Sequence, residues 1–138
     1  MKLELLEAVT SKCVEMSNGV VIVNTTPHPI VFEDMGELVT VPSDPELLVN
    51  ARVQERVVRM DSGVQFVKST FIPSEEGAKI LDGIEAFARE SGKRVVVIGS
   101  IIAAQAFPGR VFGMTPCPGY ERVAPSEKRM SVTKFVTF

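Results

Sequence analysis

Two short runs of consecutive apolar residues constrain the fold of this chain more than any other feature. Val20-Val21-Ile22-Val23 and Val95-Val96-Val97-Ile98 are β-branched throughout. Such runs are typical of strands that are covered on both faces, as in the interior of a parallel or mixed sheet. A helical pattern over residues 74–91 lies between them. Because a helix that joins two buried strands is typical of a right-handed crossover, we expect the two strands to be parallel neighbours.

The helix over residues 74–91 has signals at both ends. Ser74 can cap its first turn, and Glu75 and Glu76 suit the positive end of the helix dipole. Gly92 ends the pattern. Its apolar face comprises Ile80, Ile84, Phe87 and Ala88.

Other segments predict a second helix, two hairpins and a terminal strand. An amphipathic stripe of Leu5, Val9, Cys13 and Met16 predicts an N-terminal helix over residues 3–16. Hairpins are predicted around the turns Asp34-Met35-Gly36 and Asp61-Ser62-Gly63, with strands at Ile30–Phe32, Leu38–Val41, Leu47–Met60 and Val64–Ile72. Residues 101–107 predict a short helix, 108–130 a long loop, and 131–138 an alternating strand. Charged residues are frequent in the second hairpin, which indicates one wet face or an edge.

These elements predict an α/β or α+β fold with a mixed sheet, an N-terminal helix and a central crossover helix. The chain has 138 residues, of which 45% are hydrophobic and 23% charged, as in one soluble domain. A chain of this length buries roughly two thirds of its unfolded surface and needs no disulfide or metal to form a core. The sequence contains no repeat or Pro/Ser-rich linker, so residues 1–138 are expected to form a single domain.

Composition and charge exclude several classes of function. The 15 basic and 17 acidic side chains give a net charge of −2, which is not the basic excess expected of a nucleic-acid-binding protein. No stretch of about 18 uninterrupted apolar residues occurs, so no membrane partner is expected. Acids within the first residues, 1–7, are not typical of a signal peptide, and a cytoplasmic location is therefore predicted.

Motifs for metals and cofactors are also missing from the sequence. Cys13 and Cys117 lie far apart and form no CxxC pair, so we interpret them as two buried thiols. With one histidine and scattered acids, no metal site is predicted. Neither Gly-rich phosphate motif occurs, and the cofactor, if any, is left unknown.

Polar residues follow both apolar strands where a parallel pair would bring them to one sheet edge. Asn24-Thr25-Thr26 follows the first strand and Gly99-Ser100 the second, and such edges bind ligands in open α/β sheets. The sequence therefore predicts a pocket for a small anion, such as a nucleotide or a phosphorylated metabolite. The candidate ligand-binding residues are Asn24, Thr26, His28, Ser100, Gln105, Arg110 and Arg122, and His28, the only histidine, is a weak catalytic candidate.

Each of these residues also has a structural interpretation. Asn24 and the threonines can bond to local backbone in a turn, with His28 on a carbonyl. Ser100 can cap the following helix, and Val-Ile-Gly-Ser lacks the second glycine of a hydrolase elbow. Arg110 and Arg122 can pair with nearby acids instead of an anion.

Two segments of this chain resemble small uncharacterised proteins of phage and prokaryotic genomes that carry an N-x-T-P-H segment. They are Asn24-Thr25-Thr26-Pro27-His28-Pro29-Ile30 and the strand, serine and small-residue helix of residues 95–106. The similar parts cover about a third of the chain. The resemblance implies that Asn24, Thr26, Pro27 and His28 matter at their positions, and it implies no substrate.

Two further functions stay open at this point. One is a structural or assembly protein, phage-related, that forms a homo-oligomer through a strand edge at residues 47–72 or 131–138. The other is a hydrolase or transferase that uses His28 as a general base.

Overall fold

The computed structural model describes residues 3–138 and shows an α+β fold with mixed, open sheets, which confirms the predicted fold class. Its helices are α1 (Leu3–Lys12), α2 (Glu75–Ser91) and α3 (Ile101–Ala106). Its strands are β1 (Val14–Glu15), β2 (Val21–Asn24), β3 (Ile30–Asp34), β4 (Glu37–Val41), β5 (Ala51–Asp61), β6 (Val64–Pro73), β7 (Val95–Ile98), β8 (Gly113–Pro116) and β9 (Met130–Val136). Short 3-10 turns occupy Pro45–Leu47 and Pro125–Glu127.

The two apolar runs form the centre of the first sheet, whose strand order is β1-β2-β7. β2 and β7 are parallel, with Val21 opposite Val95 and Asn24 opposite Ile98. α2 lies between them in sequence, as the crossover requires. The parallel pairing that the sequence predicts is therefore confirmed.

The second sheet contains the first predicted hairpin and the end of the chain, in the order β4-β3-β9-β8. The hairpin of β3 and β4 turns through Met35 and Gly36, both with positive φ (53° and 81°). Two adjacent positive φ angles are those of a type I′ turn, whose twist matches that of the strands. The hairpin prediction is confirmed.

One prediction about the C-terminal third needs correction. Residues 108–130 are not a structureless loop, because they contain β8, which pairs antiparallel with β9. β9 lies between β3 and β8, and its pairing with β3 covers only Met130 and Ser131. Local signals missed β8 because its partner on β9 is about twenty residues away, at Val136.

The N-terminal helix is shorter than predicted. α1 ends at Lys12, and Val14–Glu15 forms β1 against β2. Val14 is β-branched and pairs with Ile22, and Gly19, with φ of 84°, allows the tight turn between the two strands. Helical spacing alone could not show that pairing with β2 takes over after Lys12.

The core lies on both faces of the first sheet. On one face Val23 and Val97 pack with Leu81 and Ile84 of α2 and with residues of α1 and α3. On the other face Ile22 and Ile98 pack with Phe32, Val41 and their neighbours from the second sheet. The parallel pair is thus the middle layer between helices and the second sheet, which explains why its strands carry no polar residue before Asn24.

Helix α2 begins and ends as the sequence indicates. The Ser74 hydroxyl accepts a hydrogen bond from the Gly77 amide (3.1 Å) and donates to the Asn50 carbonyl (2.7 Å). Gly92 closes the helix in the left-handed conformation, with φ of 68°. The N-cap therefore joins the start of α2 to the segment before β5.

We expect Ser74→Ala to lower the free energy of unfolding by about 1 kcal/mol, because the Gly77 amide and the Asn50 carbonyl lose their partner. Chemical denaturation of both proteins measures the difference. Ser91→Ala, at the exposed end of the same helix, serves as the control and should change stability by less than about 0.5 kcal/mol. An equal effect of the two substitutions would show that the cap does not hold α2 in place.

Among residues 3–138, no helix has both the length and the apolar character needed to cross a membrane.

Candidate functional site

The polar edge after β2 is built around one buried amide. Asn24 is only 1% exposed. Its Nδ2 donates to the carbonyl oxygens of His28 (2.8 Å) and Val41 (3.3 Å), and its Oδ1 accepts from the Thr26 amide (2.9 Å). The Thr26 hydroxyl lies 2.7 Å from the same Oδ1. Every polar atom of the Asn24 side chain is therefore engaged by the chain itself.

The two threonines that follow are bonded in the same way. The Thr25 hydroxyl donates to the carbonyl of Ile98 (2.7 Å), which ties the end of β2 to the end of β7. The Thr26 hydroxyl also lies 2.9 Å from the His28 carbonyl oxygen. Both side chains are buried. The Asn24–Thr26 segment thus forms a closed turn whose polar side-chain groups bond to the chain.

His28, Ser100 and Gln105 are exposed. The His28 backbone carbonyl takes part in the turn, and its ring stands on the outside. The Ser100 hydroxyl accepts from the Ala103 amide (3.0 Å), so it caps α3, as the structural interpretation had it. The parallel strands therefore bring these segments to one edge, and the hydrogen bonds there are those of turns and caps.

Arg110 forms salt bridges with two acidic residues of α2. Its Nε and Nη2 atoms donate to the two carboxylate oxygens of Glu85, each at 2.8 Å, and Nη2 also donates to Asp82 at 2.8 Å. These hydrogen bonds, those to Glu85 first, raise the pKa of Arg110 further above its usual value. Such a bidentate pair fixes the guanidinium plane. The bidentate contact that was expected with an anion is thus made with Glu85, and it holds the α3–β8 connection against α2.

The other arginine of that segment, Arg122, is exposed. Tyr120 of the same segment lies under the guanidinium of Arg129, 4.3 Å from ring centroid to Cζ. Arg129 also reaches Glu33 at 3.4 Å. The cation–π pair and the ion pair hold this loop against β3.

Neither cysteine has the surroundings of a nucleophile. Cys13 and Cys117 are free thiols; Cys117 is buried and Cys13 half-buried. Burial raises the pKa of both, and a hydrogen bond with Glu33 adds to the rise of the Cys117 pKa. Both therefore stay protonated near neutral pH. Residues 3–138 also contain no group of histidine, cysteine or acidic side chains able to hold a metal ion.

The most unusual feature of the molecule is the second hairpin, residues 51–73, which we call the arm. Strands β5 and β6 turn at Ser62 and Gly63, both with positive φ (51° and 80°), as the sequence predicts. An eleven-residue strand is about 35 Å long. Of the other helices and strands described, only α3 packs extensively against the arm. Most of the arm therefore projects into solvent.

One face of the arm is apolar. Cross-strand pairing places Val53 opposite Phe71 and Val57 opposite Val67, and Val58 is added by a bulge. At the base, Ala51 and Phe71 pack against the helical core. Toward the tip, Val57 and Val67 are 48% and 44% exposed. Between these two pairs the same face carries Glu55 opposite Ser69, so what we call the apolar face has apolar side chains at its base and toward its tip, with one polar pair between them.

The opposite face of the arm is basic, with Arg52, Arg56, Arg59 and Lys68 on the same side. Arg59 lies over the ring of Phe66, 4.3 Å from its centroid. Arg56 is directly opposite Lys68. Like charges at such positions repel within an isolated hairpin, so the arm carries a pair that lowers its own stability.

The arm also explains the large surface of the chain. The exposed area is 8585 Å², whereas a compact protein of 15.0 kDa exposes about 7,000 Å². The excess is roughly 1,500 Å². One partner in a standard protein interface loses about 800 Å². The chain thus exposes enough additional surface to form an interface of ordinary size.

A groove of about 720 Å³ lies near the base of the arm, between α1, the segment after β4, and α2. We call it the helical groove. Its apolar lining includes Leu5, Leu48 and Ile80, and its charged lining includes Glu46, Glu76 and Lys79. A second, smaller cavity of about 360 Å³ lies beside the β3–β4 turn. Neither cavity is lined by any of the seven ligand-binding residues predicted from the sequence.

Sequence reasoning flagged the charges of the arm but not its apolar face. Val53 and Val57 share a face because of their even spacing along β5, but Glu55 stands between them and interrupts the alternation. The bulge at Val58 shifts the alternation in the outer half of the strand and hides it.

Comparison with known proteins gives no family: no family model, curated protein or solved structure matches this chain.

Proposed function

We propose that this protein is an assembly protein whose arm forms the interface of a homo-oligomer. The observation that carries the proposal is the group of exposed valines on the apolar face of the arm, Val53, Val57, Val58 and Val67, which nothing in residues 3–138 covers. Exposed clusters of apolar side chains mark contact sites on protein surfaces. Two-stranded hairpins are marginally stable alone, so an arm of this length gains most from a second surface that packs on it.

The anion-binding hypothesis receives less support from the geometry. Asn24 and Thr26 are saturated by bonds within their own turn, and Arg110 is committed to Glu85 and Asp82. An anion would have to displace these partners. Anion binding, the His28-dependent reaction and the phage relationship stay predictions, and assembly is the function that the described contacts favour.

The test replaces one cross-strand pair on the apolar face. In Val57→Glu/Val67→Glu, two carboxylates would be buried without partners in the interface, which the assembly cannot tolerate. We expect the wild-type mass to be a multiple of 15.0 kDa and the variant to have the monomer mass, by light scattering after gel filtration.

A matched control lies outside the arm and the helical groove. Ser126 and Thr137 are exposed, and Ser126→Glu/Thr137→Glu adds the same two charges away from both faces of the arm. This variant should keep the wild-type mass. Circular dichroism checks that all three proteins are folded. A monomeric wild-type protein, or a Val57→Glu/Val67→Glu variant of unchanged mass, would contradict the proposal.

A further inference from the structure

Resting on the proposed assembly, we infer that the arm of one copy docks in the helical groove of a second copy. The apolar face of the arm would lie on the floor made by Leu5, Leu48 and Ile80, with its basic side chains at the acidic rim of Glu46 and Glu76. The proposal therefore names both halves of the interface, the arm and its acceptor.

The groove has the chemistry that such an arm requires. Its volume of about 720 Å³ lies in the range of well-formed binding clefts. Apolar residues from α1, α2 and the segment after β4 line it, so the valines of an arm would meet packed hydrocarbon there. The charged lining of the groove comprises Glu46, Glu76, Asp82 and Lys79, so it is acidic overall, and the exposed carboxylates of Glu46 and Glu76 can receive cations.

A chain does not fill this groove with its own arm. Asn50 lines the groove and is the residue immediately before β5, while no residue of 51–73 lines it. The acceptor therefore lies at the base of the arm, and the exposed valines lie toward the tip. A second copy can place its arm tip at this base, which is the arrangement of exchanged arms in closed oligomers.

Charge favours the same pairing. The arm carries four basic and two acidic side chains, so its charge is +2 in a chain whose net charge is −2, and the remainder of the chain carries −4. Two surfaces with electrostatic potentials of opposite sign attract each other, which speeds association and fixes how the two proteins are aligned. A copy of this chain therefore offers the arm a partner of opposite charge.

The like-charge pair on the arm points to an acidic acceptor. Arg56 and Lys68 repel each other in the isolated hairpin, and a carboxylate nearby would remove that cost. The axes of the two strands of the arm are only about 4.8 Å apart. Arg56 and Lys68 therefore both lie at an outer edge of this two-stranded sheet. Their long stems can bend around that edge to a rim carboxylate while the apolar face stays on the floor.

The experiment exchanges the charges of arm and groove in the full chain. The first variant is Arg56→Glu/Lys68→Glu, and the second is Glu46→Lys/Glu76→Lys. Each alone sets like charges against each other, so we expect each to self-associate at least about tenfold more weakly than the wild type. A mixture restores opposite charges at both contacts, and we expect it to regain the wild-type mass in light scattering. Recovery on mixing also shows that both variants are folded.

Glu37→Lys/Glu90→Lys is the matched control, because it makes the same charge change at exposed positions outside the groove. It should associate like the wild type. If the groove variant associates normally, or if mixing restores nothing, the inference is overturned. The proposed assembly would still stand if Val57→Glu/Val67→Glu were monomeric, so the two failures can be told apart. A different result would overturn both proposals. The nuclease-treated wild-type protein would be monomeric, and the untreated wild-type protein would carry nucleic acid that the Arg56→Glu/Lys68→Glu variant does not bind.

Discussion

Replacement of Asn24 by alanine is expected to lower the free energy of unfolding by about 3 to 4 kcal/mol. The side chain accepts a hydrogen bond from the Thr26 amide and donates to the carbonyls of His28 and Val41, and it is almost fully buried. A buried polar group that loses its partner costs about 1 to 3 kcal/mol. Chemical denaturation followed by circular dichroism measures the loss.

His28→Ala is the control for this prediction. The His28 residue is exposed, and the turn uses only its backbone carbonyl and amide, which alanine retains. We expect a change below about 0.5 kcal/mol, as for most surface substitutions. If Asn24→Ala cost less than about 1 kcal/mol, Asn24 would not hold the turn, and a ligand-binding role for its amide would regain weight.

The contrast between these two residues shows how the Asn-x-Thr-Pro-His segment works in the fold. Asn24 and Thr26 close a turn that carries the chain from β2, in the first sheet, to β3, in the second. The Asn24 amide also bonds to the Val41 carbonyl, at the end of β4. The distinctive residues of the segment therefore join two layers of the protein, which is a structural reason for their presence.

Much of the fold could be predicted from the sequence because its signals are local. Uninterrupted β-branched runs indicated the buried parallel pair, and two-residue turns ending in glycine indicated both hairpins. The caps Ser74 and Gly92 fixed the ends of α2 to within a residue. Each of these features depends on neighbours within a few positions, so one sequence is enough to show them.

The features that sequence reasoning missed depend on distant partners. The guanidinium of Arg110 meets Glu85, twenty-five residues earlier, and no local pattern joins the two. β8 exists because β9 pairs with it, and α1 ends early because Val14 pairs with Ile22. The structural interpretation foresaw the local bonds of Asn24, Thr26 and Ser100, whereas the bonds from Asn24 to Val41 and from Thr25 to Ile98 join segments that are distant in the sequence.

The arm shows a different limit. Its turn and second strand were predicted, and its first strand begins at Ala51 where the prediction had Leu47, which lies in a 3-10 turn. Its projection from the body follows from contacts that it does not make. The apolar face of a strand normally predicts burial within the same chain. Here only the base, at Ala51 and Phe71, is packed against the core, and Val57 and Val67 are exposed. The assembly that we propose would reconcile the pattern of the sequence with the structure.

Gly99→Ala is the second substitution for which we expect a large effect, a loss of about 2 to 3 kcal/mol in the free energy of unfolding. Gly99 is buried between β7 and α3, and a Cβ there would lie 2.6 Å from Cγ1 of Val111 and 3.0 Å from Oγ1 of Thr25. Val111 is fully buried and β-branched, so it cannot turn away without strain. The collision would also press on the hydroxyl that ties β2 to β7.

Gly113→Ala provides the matched comparison, since its Cβ would lie 2.7 Å from Cδ1 of Ile101 and 3.3 Å from Cβ of Val136. The Ile101 atom is the far end of a flexible side chain that is 46% exposed, so it can swing into solvent, and the contact with Val136 needs only a small shift. We expect Gly113→Ala to cost less than about 1 kcal/mol, measured in the same denaturation series. Equal losses would mean that space at β7 is not what requires glycine. A clear difference would show that the tight approach of Val111 and Thr25 sets the junction of β2, β7 and α3.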